Sequence, residues 1–541
     1  MKKLLALILT LLMVFSLVAC GGKNADTDTN TGNEGTNDTV DTGSPDGGDT
    51  GSDGAGSESG ETRDYINIAY SQDRGTLDPI YLMGYDAGDA LKMVYENLWS
   101  YNIKGEKEWN IATSFEMVEP TRWRITIRDD VKFANGNPLT AEDVVFSINR
   151  ANTRVGEPAY FPMLDLENTK VIDSTTIEVA YLEYDFSYEY TFGFLPIMDE
   201  ESFDENTIAQ TPMGSGPYEV TDYVVNSHMT LTARDDYWGT APAIKTLNFR
   251  LFTEDMQKTN ALQTGELDIT TAPFQDISFI STLDGYTVDI YDNAQSMALY
   301  FSLDPASAFA ENEKARQAVC AAIDTQAIVD IAYSGYGSPS VMPISKGNID
   351  ATENLYNKGV YGTGYNVEAA KQLAEEAGIV GQTITLITDG SSAMVVMAEL
   401  IQFDLDAIGV TVEILNLDAG SVASVYEDPS QYDMAISFTN VPSKTVAQNM
   451  YAWVTYTFQG VYVKNPWEGR DEYLGLTNGI MAVSDTSELA SRYEKLIDIH
   501  TKAVPWFSLC DQASALAYNS DLEGYELGLM GGINYAKLSW K

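Results

Sequence analysis

The chain has 541 residues, with 79 acidic against 32 basic side chains and a formal net charge of −47. That balance excludes nucleic acid as a partner, because its recognition needs a basic footprint, and it opposes adsorption to anionic lipid headgroups. Hydrophobic residues at 44% provide for large cores, and the charge itself reads first as solubility.

The N-terminal segment carries Lys2 and Lys3, then an apolar run of 16 residues from Leu4 to Ala19, ending Leu17-Val18-Ala19-Cys20. A charged start, a short apolar stretch and small residues before the cut form a secretory signal peptide. The run is shorter than the roughly 20 residues a spanning helix needs. A cysteine directly after it resembles a lipobox. That implies cleavage before Cys20, lipidation of its thiol, and anchoring at the extracellular face of the cell membrane. From Gly21 to Glu61 there are ten acids against Lys23 alone. So little apolar surface predicts a disordered spacer, extended by its like charges. It suits a tether through a cell wall and points to a Gram-positive bacterium.

From Thr62 to Lys541 there are 480 residues, enough for about three domains at roughly 150 each. No second long linker interrupts them, so the domains pack together. Tyr65–Tyr70 reads as a strand. Trp123–Arg128 alternates with period two and reads as a half-buried strand. Thr140 caps a helix over Ala141–Arg150, with Asp143 at its third position and Val144, Val145 and Ile148 on one face. Thr383–Thr388, a helix from about Ala393 to Ile408 closed by Gly409, and Val410–Leu415 form a strand–helix–strand unit with parallel strands. Met434–Phe438 adds a strand to that sheet. Ligands of open α/β sheets bind beyond the carboxyl ends of strands, which points at Phe438 to Pro442. His500 falls near a helix C-terminus, where the dipole favours its protonated form. Cys320 and Cys510 lie in apolar runs and read as free, buried thiols.

Enzyme chemistry is not legible. There are two histidines in the chain, and no HExxH, CxxC, EF-hand or Walker pattern. Gly214-Ser215-Gly216 lacks the spacing of a GxSxG elbow. Carboxylates are too widespread for any pair to mark a glycosidase. The expectation is a protein that is not an enzyme and holds no cofactor or metal. A surface hydrolase of peptide or glycan is the counter-reading, separable by turnover.

Several segments together resemble the extracellular solute-binding proteins of ATP-driven importers, the peptide/nickel/oligosaccharide type (family 5). They are Thr76-Leu77-Asp78-Pro79 with Val94-Tyr95-Glu96-Asn97-Leu98, Ile127–Gly136 running into Leu139–Ser147, and Pro212–Tyr218. Asp236-Tyr237-Trp238-Gly239, Gly265–Ile269, Arg316-Gln317-Ala318 with Ala322-Ile323-Asp324, and Ala369–Gly378 follow in order. The resemblance covers essentially all of Thr62–Lys541. It implies an α/β, two-lobed periplasmic-binding-protein-like fold of the large type, with an extra domain in the first lobe. Lobe one would take 62–95, 212–295 and 512–541, the extra domain 96–211, and lobe two 296–511. The connecting strands would cross near Gln295–Tyr300 and Cys510–Ala515. A monomer would close on its ligand and deliver it to a membrane permease driven by an ATPase.

In peptide-binding relatives, the backbone at the position of Met83-Gly84-Tyr85 pairs with an extended peptide. Gly84 either lets the backbone approach closely or only makes a turn. Peptide binders carry an acid after the strand that ends at Phe438, to pair with the ligand's ammonium. Here Phe438-Thr439-Asn440 runs on to Lys444 without one, and Asn440 would offer a neutral hydrogen bond instead. Tyr451 and Trp453 begin an aromatic run with Tyr456, Phe458 and Tyr462, which is either a ligand platform or core. The ligand expectation is an oligopeptide, with an oligosaccharide as the alternative. Scarce histidine disfavours nickel.

Overall fold

A computed structural model describes residues 63–73, 75–81, 86–102, 106–153, 160–161, 163–182, 187–340, 344, 348, 350, 355, 361, 364–417, 419–426, 428–439, 445–447, 449–450, 465–483, 485–528 and 532–541. Cys20, the leader and the acidic segment lie outside the described residues, as do Met83, Gly84, Tyr85, Asn440, Tyr451 and Trp453. No helix among the described residues is long and apolar enough to cross a membrane.

β1 (Tyr65–Tyr70) buries Ile66, Ile68 and Tyr70 on one face, the period-two pattern of a strand. The chain then leaves the main sheet. β2 (Trp99–Tyr101) and β3 (Lys107–Trp109) pair as a hairpin. β4 (Ala112–Glu119), β5 (Arg122–Ile127), β6 (Lys170–Asp173) and β7 (Thr176–Ala180) form a separate antiparallel sheet in the order β4-β5-β7-β6. Helix Ala141–Asn152 packs on it, placing Val144, Ile148 and Ala151 among Ile125, Ile127, Ile177 and Val179. Asp143 starts that helix: its carboxylate accepts from the Thr140 backbone N–H (2.8 Å), as its sequence position predicts.

The chain returns through β8 (Tyr218–Val224), β9 (His228–Ala233), β10 (Thr246–Leu251), β11 (Ile269–Thr271) and the long β12 (Tyr286–Phe301). It continues with β13 (Gly337–Pro339), β14 (Thr383–Thr388), β15 (Thr411–Asn416), β16 (Met434–Thr439) and β17 (Trp506–Asn519). The main sheet runs β15-β14-β16-β12-β17-β11-β1-β10-β9-β8, with β13 beside β17. β14 is parallel to both β15 and β16, and helix Ser392–Asp406 makes the first crossover. Gly409 closes that unit at φ +80°, a left-handed conformation cheap only for glycine.

Among the described residues, β12 and β17 are the strands that run through both halves of the sheet. In the second half, Met297, Leu299 and Phe301 of β12 face helices Glu313–Ala322, Val367–Ala377 and Ser392–Asp406. Ala298 and Tyr300 face the opposite core, which contains Leu496 and Ile497 of helix Thr486–Ala503. In the first half, Leu516 joins Ile66, Ile68, Leu231 and Leu247, while Ala515 and Ala517 join Leu262 and Ile280. Each half is thus a sheet covered on both faces, as parallel strands require.

Cys320 and Cys510 are free and buried. His500 departs from expectation. It does lie in the last turn of its helix, but it is fully buried, with Nε2 against the Trp506 carbonyl (3.0 Å). Burial pulls its pKa down to about 3. Desolvation outweighs the dipole there, and the ring is neutral.

Candidate functional site

Buried polar contacts tie the family-like segments to distant parts of the chain. Asp78, before Pro79, receives both guanidinium nitrogens of Arg150 at the end of helix Ala141–Asn152, at 2.7 and 2.5 Å, in a buried pair. The Phe203 ring lies 4.4 Å from the Arg150 guanidinium carbon. Gly216 N–H donates to the Val94 carbonyl at 2.8 Å. A Cβ on Gly214 would stand 2.0 Å from the same carbonyl oxygen, so only glycine fits this approach. Arg234 donates to the carbonyls of Gly216 (3.0 Å) and Phe133 (3.3 Å) and to Asp236 (3.1 Å). Asp199 gathers Asn135 (2.6 Å), Asn137 (3.0 Å) and Ser202 (2.6 Å), and these donors hold its carboxyl below the usual range against burial. Further along the chain, Arg316 donates to Ala503 O (2.8 Å) and Phe309 O (2.5 Å), the first tying two helices together.

β12 and β17 cross the middle of the main sheet side by side. Their register slips between Asp292 and Ser296, where β12 advances four residues and β17 only two, from Ala513 to Asp511. Ser296 stands opposite Asp511 on one side and Thr439 on the other. The Ser296 hydroxyl donates to the Asp511 carboxylate, and both side chains are buried. The expected residues Phe438 and Thr439 are therefore the last two positions of β16, in register with Met297 and Ser296 at the crossing. The remaining expected site residues lie outside the described ones.

β14 and β15 end level with each other, at Thr388 and Asn416, and β16 runs three residues further, to Thr439. Thr388 Oγ1 donates to Asn416 (3.0 Å) and accepts from Gly390 N–H (3.0 Å), and Leu417 N–H donates to the Thr388 carbonyl (3.0 Å). Asp389 follows, half-buried, accepting from Ser391 N–H at 2.9 Å beneath the start of helix Ser392–Asp406. Burial, with a smaller contribution from the nearby Asp389, pushes up the phenols of Tyr333 and Tyr426. The carboxyl ends of β14 and β15 thus make a polar rim on the side of the sheet towards which β16 runs on to the crossing, the kind of edge where such sheets bind ligands. Asp389, Asp511 and Ser296 were not singled out from the sequence. The available signal was an acid directly after each of two strand-like runs.

A cavity of about 880 Å³ is bounded by the β2–β3 hairpin and by residues 526–528 and 532–539, with Trp109, Arg128, Tyr237 and Trp238 in its walls. Glu96 on its wall accepts from Tyr237 Oη (2.6 Å), and burial raises its carboxyl to about 7. Among the described residues no cluster of three or more His, Cys, Asp or Glu is arranged to hold a metal.

The profile of "Bacterial extracellular solute-binding proteins, family 5 Middle" matches residues 108–460. The nickel-binding protein NikA of Staphylococcus aureus is 23% identical over 487 residues, covering 88% of this chain and 93% of that protein. The glutathione-binding protein GsiB of Salmonella typhimurium is 24% identical over 493 residues, covering 85% and 91%. The fold is similar to that of the oligopeptide-binding protein AppA of Bacillus subtilis in complex with a nonapeptide. The TM-score is 0.76 at 19% identity, over 89% of this chain and 100% of that one. With a two-lobed α/β fold and a family match across most of its folded length, the chain belongs to the bacterial extracellular solute-binding proteins of family 5.

Proposed function

We propose that the chain is a lipid-anchored receptor of an ATP-driven importer, held by Cys20 at the extracellular face of a Gram-positive cell membrane. Its ligand is an oligopeptide, bound in the cleft between the lobes and passed to a membrane permease. The lobes follow 62–95, 212–295 and 512–541 against 296–511, with 96–211 as the extra domain. The observation that carries this reading is that the parallel strands β14, β15 and β16 all run towards the crossing of β12 and β17, which β16 reaches at Thr439. A ligand there touches both lobes, so closing them on it is favourable. Peptide is supported by the similarity to proteins described as binding glutathione and a nonapeptide.

No acid lies between Phe438 and Lys444. Asp389, at the neighbouring strand end, takes the ligand's ammonium in this reading. A charge-assisted hydrogen bond of that kind contributes about 1.5–3 kcal/mol, so Asp389→Asn weakens peptide binding by roughly tenfold or more in calorimetry while leaving N-acetylated peptides unaffected. Equal affinity of both variants for free-amine peptides would exclude Asp389. The experiment that tests the whole reading is native mass spectrometry of the purified chain, with release and sequencing of anything bound. Short peptides support it. A hexose-spaced mass favours the oligosaccharide reading, which the acid-free stretch and the aromatic run from Tyr451 also support. Turnover of peptide or glycan would make the chain a hydrolase.

A further inference from the structure

β17 is held along one edge by β12 and along the other by one short strand from each lobe. β11 pairs with Leu516–Tyr518, and β13 pairs with Cys510–Gln512. Ala272, just past β11, donates its N–H to the Ala515 carbonyl at 2.8 Å, so the first lobe's grip reaches Ala515. The second lobe's grip begins at Gln512, with Ala513 and Ser514 between them. Directly across, β12 slips register between Asp292 and Ser296. Flexure of the sheet is therefore concentrated in two short facing segments, the form that hinges take.

The segments leaving β11 and entering β13 meet beside that gap. The Phe274 ring, from the first lobe, lies 5.3 Å from Tyr333 in an edge-to-face arrangement and 6.3 Å from Tyr336, nearly parallel. Gln512 of β17 donates to Tyr333 Oη at 2.8 Å. The turn carrying the two tyrosines is seated hard on the hinge strand. Ser334 holds φ +53°, and Gly337, at φ +133°, comes so close that a Cβ would stand 2.6 Å from the Asp511 carbonyl oxygen. Such conformations persist only where the surroundings over-determine them. The tyrosines therefore cannot drift with the second lobe's surface. They are fixed to the strand about which the lobes turn, and Phe274 is fixed to the other side.

We propose that the contact of Phe274 with Tyr333 and Tyr336 is the detent of this hinge. It sets the angle of the lobes in the ligand-free protein, and through that the apparent affinity for any ligand held between them. This rests on the reading that ligand is bound by lobe closure. Affinity scales with the fraction of molecules already in the binding-competent arrangement, so an aromatic contact of ordinary strength shifts it by about two- to tenfold without touching ligand.

The test is a spin-label distance measurement on the full chain carrying Cys20→Ser, with labels at Glu219→Cys in the first lobe and Glu375→Cys in the second. Both positions are exposed, and Cys320 and Cys510 are buried from the label. Without ligand, Phe274→Ala is expected to move or broaden the inter-lobe distance distribution, and Phe274→Tyr to restore it. Where a ligand is known, the same Ala variant shifts its Kd about two- to tenfold. A distribution unchanged by Phe274→Ala overturns the proposal, as does one that Phe274→Tyr shifts equally. Tyr336→Ala repeats the measurement should Phe274→Ala not fold. A shift without ligand in a protein that binds neither peptide nor sugar would uphold the detent and sink the ligand reading, so the two fail separately.

Discussion

At the scale of single residues, close approach and burial decide most of what can be tested. A Cβ on Gly214 meets the Val94 carbonyl at 2.0 Å, and that oxygen already accepts from Gly216. Gly214→Ala is expected to cost more than about 4 kcal/mol, or to leave no soluble protein. Gly136→Ala has φ +90° but open space around it, so it should cost only about 1–2 kcal/mol. Urea titration of the two variants measures the contrast. His500 carries a pH dependence with a definite sign. Its folded pKa of about 3 lies below the ordinary 6.5. Below pH 6.5 the unfolded chain takes up a proton that the native ring refuses, so stability falls as pH drops from 6.5 towards 3. The slope is up to about 1.4 kcal/mol per pH unit. Thermal melts at pH 7, 6, 5 and 4 should show it, and His500→Gln should flatten that limb. An unchanged slope would mean that other groups govern the acid response.

At the scale of elements, the helix start at Asp143 does two jobs. Its carboxylate caps the helix through Thr140 and also accepts from Glu200 N–H at 2.9 Å, tying down the segment that carries Asp199. Asp143→Ala leaves buried donors unmet and is expected to destabilise by about 1–3 kcal/mol. Hydrogen exchange should quicken at Glu200 as well as at Thr140; quickening at Thr140 alone would show that the second tie carries no stability. This helix was legible in the sequence, as were β1, β14, β15 and β16, because each presents an uninterrupted apolar period to a core. Its start was legible because capping chemistry is local. β12 was harder to read, since Asp292–Gln295 breaks its alternation where the register slips. The polar ties Asp78–Arg150 and Asp199–Asn135 were invisible as contacts, since their partners are far apart in the chain. Phe438 and Thr439 could be located because strand ends mark sites in α/β sheets. Asp389 and Asp511 could not, because one acid among 79 carries little information.

At the scale of the molecule, the order of strands in space differs from their order of synthesis in one telling place. β17, starting at Trp506, sits between β12 and β11 and pairs with both. Until it arrives, β11 and β12 each present a row of unpaired backbone groups, the kind of edge that recruits other chains. Completion of the main sheet around β11 therefore waits for nearly the last residues to be made, and pairings of such long sequence separation form slowly. A chain ending at Val504 is expected to collect in aggregates rather than as soluble monomer, while adding the 505–541 peptide in trans before collapse should rescue part of it. Size-exclusion chromatography distinguishes the outcomes, and a soluble, monomeric truncation would show that the halves complete themselves without β17. An exported chain built this way emerges from the translocation channel unfinished. It has to be kept from its neighbours until its tail follows, so its yield after export is expected to depend on extracytoplasmic folding helpers as well as on its final stability.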